Sequence, residues 1–61
     1  MDEVVERKIR YIADISGMKY NTVRALVKSK VADLEFFIND HAAVHIIAKD
    51  LGIELPKKFG D

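Results

Sequence analysis

His41 and His45 are the first residues in this chain whose type and spacing could do chemistry. They stand four apart, so a helix stacks both imidazoles on one edge, where a metal ion could bridge them. A hydrolytic zinc helix also needs an acid directly after the first His, and Ala42 occupies that place. The chain has no cysteine, so a third ligand would have to come from a distant Asp or Glu. The spacing therefore predicts a polar edge on an apolar helix, and no metal or other cofactor is expected. Ser16 and Ser29 have no activating context, and the three glycines are isolated, so no loop cradles phosphate. Asp2 and Glu3 are paired carboxylates at an exposed terminus. A chain of 61 residues also lacks the depth for an enclosed substrate pocket. The sequence points away from an enzyme.

The element that holds the two histidines is the most apolar in the chain. Ala42, Ala43, Val44, Ile46, Ile47, Ala48 and Leu51 leave only His41, His45 and Lys49 polar along one line. Such a helix must be wrapped by the rest of the domain. Asn39 is suited to accept from the orphan amides of its first turn, and Asp40 favours the positive end of the dipole. Gly52 closes it, with Ile53 and Leu55 folding back onto the last turn.

Two further helices must supply the wrapping. Residues 2–16 carry Val5, Ile9, Ile12 and Ala13 at helical spacing, with Asp2, Glu3 and Glu6 in the first turns and Gly17 as the stop. A second helix starts near Lys19 or Tyr20 and runs to about Leu34, with Val23, Leu26, Val27, Val31 and Leu34 as its inward stripe. Its start lacks a capping Ser or Asp. Asn21, Arg24 and Lys28 fall on the opposite side. The loop Glu35–Ile38 is too apolar for an idle connector, so at least one of Phe36 and Phe37 is expected to plug the core, with Ile38 stapling the helix it precedes. A Phe left exposed would mark a contact surface. The fold class is therefore all-α, a compact three-helix bundle with a largely buried third helix. The module occupies residues 1–55, and residues 56–61, opened by Pro56, are read as a linker or frayed tail.

Net charge is zero but unevenly spread: residues 1–31 carry seven basic and four acidic side chains, residues 32–61 three and six. Lys19, Arg24, Lys28 and Lys30 form a local acid-free stretch from Met18 to Val31, able to attract phosphate. No apolar run reaches membrane length and no signal peptide is visible, so a cytoplasmic location is expected, without membrane or small-molecule partners.

Two resemblances follow from these residues. The segment Ile12–Val27, with Ala13, Gly17 and Val23 at their spacing and Leu26 behind, resembles the helix-turn-helix of bacterial repressors. That resemblance implies duplex-DNA binding, with Tyr20, Asn21 and Thr22 opening a recognition helix and Arg24 and Lys28 available to DNA. The second spans about residues 5–55. Ser16-Gly17-Met18, the row Val23, Val27 and Val31, and Ala42-Ala43 followed by Ile47 through Leu55 resemble the helical module at the N-terminus of archaeal replication protein A and related OB-fold single-stranded-DNA-binding proteins. It is the longer match. It implies a non-enzymatic interaction module that contacts a protein of the replication or repair machinery, such as an OB fold, or assists contact with nucleic acid. The second helix of that family is usually acidic with a Ser-like cap, whereas here Lys19 opens a basic one. On either reading Tyr20, Asn21, Arg24, Lys28, Phe36 and Phe37 are the candidate contact residues.

Overall fold

Asp2 starts the first helix, α1 (Glu3–Ser16), by accepting a hydrogen bond from the Val4 amide at 2.7 Å. In the computed structural model, which describes residues 1–59, Glu3 and Glu6 follow in the first turn. Gly17 ends α1 at φ 77°, its amide donating to Ala13 O. That left-handed conformation is open to glycine at little cost.

The Asp2 cap is pH-sensitive. The hydrogen bond from the Val4 amide chiefly, opposed by desolvation and then helped by the nearby His41, holds the Asp2 carboxyl below its ordinary value of 3.8. A folded-state value below the unfolded one means that the cap stabilises α1 fully above about pH 4 and is lost as pH falls through the lowered value. The gap between wild type and Asp2→Ala in urea midpoint should therefore be open at pH 5 and close below pH 4.

The second helix, α2 (Tyr20–Asp33), begins at Lys19 with no side-chain cap. Its buried residues are Val23, Val27 and Val31, a single row at i, i+4 spacing. Leu26 and Leu34, expected on the same stripe, are instead 36% and 41% exposed. The neighbouring helices bury α2 along the valine row, with Tyr20 packed beside it. Leu26 lies about 60° round the helix from Val23, beyond their reach.

The third helix, α3 (Asp40–Asp50), is capped by Asn39 Oδ1, which accepts from the Ala42 amide at 2.9 Å. Seven of its eleven residues are buried or half-buried, so it is the wrapped element, although Ala42 stays exposed. Beyond the helix, Gly52 at φ 72° lets its own amide donate to Lys49 O and the Ile53 amide to Ala48 O. This double bond pair turns the chain back, and Ile53 and Leu55 pack on the core. The fold is all-α, a three-helix bundle built round Val5, Ile9, Ile12, Val23, Val27, Ala43, Val44 and Ile47. Two ion pairs tie α2 across α3: Lys28 to Asp40 at 2.8 Å and Lys30 to Asp50 at 3.8 Å. Both are partly exposed and contribute at most about 1 kcal/mol each.

Lys57–Phe59 form a 3₁₀ turn, and the Phe59 ring meets Tyr11 edge to face at 5.6 Å. Packing against α1 thus extends to Phe59; positions 60 and 61 lie outside the described residues. Among the described residues no helix is long and apolar enough to cross a membrane.

Candidate interaction surface

The two histidines are engaged by different partners. His45 Nε2 lies 2.9 Å from the Nζ of Lys8, which is fully buried. The contact joins α1 to α3 within hydrogen-bonding distance. His41 Nε2 lies 3.6 Å from Asp2 Oδ2, joining the start of α1 to α3. Among the described residues no three His, Asp or Glu side chains are grouped to hold a metal ion. Beside His45 an open groove of about 300 Å³ runs past Ala48, Lys49 and Gly52 to Leu55. That volume is at the lower limit for a small-molecule site, and the groove is shallow.

The candidate contact residues divide between the two ends of α2, which is about 21 Å long. Asn21, Arg24 and Lys28 follow one another at helical spacing along one exposed edge. Lys28 is committed to Asp40, and Lys30 to Asp50. Of the four cations in the acid-free stretch, Lys19 and Arg24 make no ion pair among the described residues. Tyr20 faces inward, half-buried, and its ring is covered by the Arg10 guanidinium at 4.9 Å.

Phe36 and Phe37 stand at the other end, and neither plugs the core. They are 76% and 87% exposed. The reason is how α2 stops. The Glu35 amide donates to Ala32 O and the Phe36 amide to Val31 O, both at 2.9 Å. This is the same closing pair that Gly52 and Ile53 make at α3, but here the left-handed positions are Glu35 (φ 53°) and Phe36 (φ 64°). The turn aims both rings away from the bundle, and Ile38 alone returns to the core. A left-handed non-glycine residue costs about 1–2 kcal/mol. Glu35→Gly should therefore raise the unfolding free energy by about 1 kcal/mol, read from urea denaturation; an unchanged or lowered value would contradict a strained turn.

Lys8 carries no mark of function in its own residue type. Its position three after Val5 and four before Ile12 sets it on the flank of the buried stripe, which is the only signal for its burial. The exposure of Ile15 (60%) at the end of α1 is likewise visible only once the helices dock. The chain matches no protein-family model, no curated protein and no solved structure.

Proposed function

We propose that this chain is a non-enzymatic interaction module of a cytoplasmic single-stranded-DNA-binding replication protein, and that it docks on protein through the Phe36–Phe37 loop. The observation that carries the docking surface is the pair of consecutive phenylalanines, 76% and 87% exposed, on a hydrogen-bonded turn. Each ring fully buried against a partner yields about 1.5–3 kcal/mol, and a turn already fixed loses little entropy on binding. The resemblance over residues 5–55 supplies the replication context.

Charge favours protein over DNA as the first partner. With Lys28 and Lys30 paired, α2 offers Lys19 and Arg24 to phosphate. Two phosphate contacts lose only about tenfold in affinity between 50 and 200 mM salt, against 10³–10⁵ for a typical duplex-binding footprint. Duplex recognition by the α1–α2 pair is the rival reading, favoured by the three-residue turn Gly17–Lys19 and the outward Asn21 and Arg24.

Amide chemical shifts separate the two. Titration with an OB-fold domain of a single-stranded-DNA-binding protein should move amides from Leu34 to Ile38, while a duplex oligonucleotide at 150 mM salt leaves the spectrum nearly still. Tight duplex binding that disappears in Arg24→Ala would replace the protein-docking reading with the rival one.

A further inference from the structure

The outer face of α2 carries a pattern that a monomer does not use. Thr22, Ala25, Ser29 and Ala32 lie at i, i+3, i+7 and i+10, all exposed, on the side opposite the valine row. Leu26, 36% exposed, flanks them. This strip is uncharged and low enough for another helix to approach closely. The two ends of α2 are charged against its own dipole. Lys19 occupies the uncapped start, where no acid stands in the first turn, and Asp33 and Glu35 stand at the finish, where the one cation of the last turn, Lys30, is paired with Asp50. A helix prefers the reverse. None of Lys19, Asp33 and Glu35 takes part in an ion pair among the described residues.

Each mismatch is the complement of the other, and two-fold symmetry brings them together. We infer that the chain pairs with a second copy of itself, α2 against α2 and antiparallel, with Ala25 of one copy opposite Ser29 of the other. In that register Leu26 meets Leu26 near the axis. Asp33 and Glu35 of each copy reach Lys19 and the open first turn of the other, so acid meets positive dipole end twice. The Phe36–Phe37 tip of one copy falls on the Ile15–Met18 end of the other, where Ile15 is 60% exposed. The contact is isologous, so it closes at two copies. Net charge of zero gives no general repulsion between them.

A standard interface covers about 800 Å² per partner, a fifth of the 4160 Å² surface of this chain. One helix face with its two end loops covers less, so the dissociation constant should fall in the micromolar range. This inference rests on the docking role given to Phe36 and Phe37.

Sedimentation equilibrium of the 61-residue chain from 5 to 500 µM tests it, with circular dichroism showing that each variant stays helical. A monomer–dimer equilibrium is expected. Ser29→Arg should weaken it at least tenfold, and so should Lys19→Glu. The triple variant Lys19→Glu/Asp33→Lys/Glu35→Lys, which exchanges the charges, should recover most of the loss. A chain that is monomeric at 500 µM, or a dimer indifferent to Ser29→Arg, overturns the pairing. In either case shifts confined to Leu34–Ile38 on adding the OB-fold domain would leave the docking loop standing. Absence of those shifts with a charge-sensitive dimer would leave the pairing and remove the OB-fold context.

Discussion

Ile9→Ala is expected to lower the melting temperature by about 10–30 °C. Ile9 is fully buried in the centre of α1, among Val5, Ile12 and side chains of both other helices. Removing its three outer carbons from a packed site costs about 2–5 kcal/mol, because the transfer free energy is lost and the surrounding structure closes only part of the cavity. The size of the domain sets what that means. At roughly 0.05–0.15 kcal/mol per residue, 61 residues give about 3–9 kcal/mol in total. One methyl-rich side chain is therefore worth about a fifth of the net stability or more. For a domain this small each kcal/mol shifts the midpoint by about 4–8 °C. Ile15→Ala, in the same helix, is the control. Ile15 is 60% exposed, so the same change in chemistry should shift the midpoint by no more than about 3 °C. Equal effects at Ile9 and Ile15 would mean that α1 does not bury the face described.

The parts of this fold that can be read from sequence are those fixed within a turn or two of chain. Asn39 caps because an amide there reaches orphan amides, and Gly17 and Gly52 stop helices because they accept positive φ; Asp2, which reads as a first-turn acid, sits one step earlier as the cap itself. The row Val5, Ile9, Ile12 and Ala13 and the row Val23, Val27 and Val31 follow from helical spacing alone. What could not be read depends on how the elements meet. Leu26 has the period of a core residue, yet α1 and α3 both land on the β-branched row beside it. Phe36 and Phe37 have core composition, but two left-handed residues with ordinary side chains turn them outward, and no residue type announces that. Phe59 docks on Tyr11 from a segment that reads as linker. The contact residues show the same division. Spacing alone groups Asn21, Arg24 and Lys28 on one edge. That Asp40 then takes up Lys28, and Arg10 covers Tyr20, needs the docked bundle.

The second large effect concerns association and not stability. Phe36→Ser/Phe37→Ser removes two rings that are largely in water already, so the covered quarter or less of each contributes only about 0.5 kcal/mol to the fold. Against a partner the same two rings become buried anchors, and truncating residues of that kind commonly costs 2 kcal/mol or more each. A double variant should thus melt within a few degrees of wild type and lose at least a hundredfold in affinity. Measuring both quantities on one preparation, the melt by circular dichroism and the affinity by sedimentation or calorimetry, puts the docking role of this loop directly to the test. An intact melt with association abolished is the predicted result. A fall of 10 °C or more, which would make the rings part of the core, or an affinity equal to wild type, would contradict it.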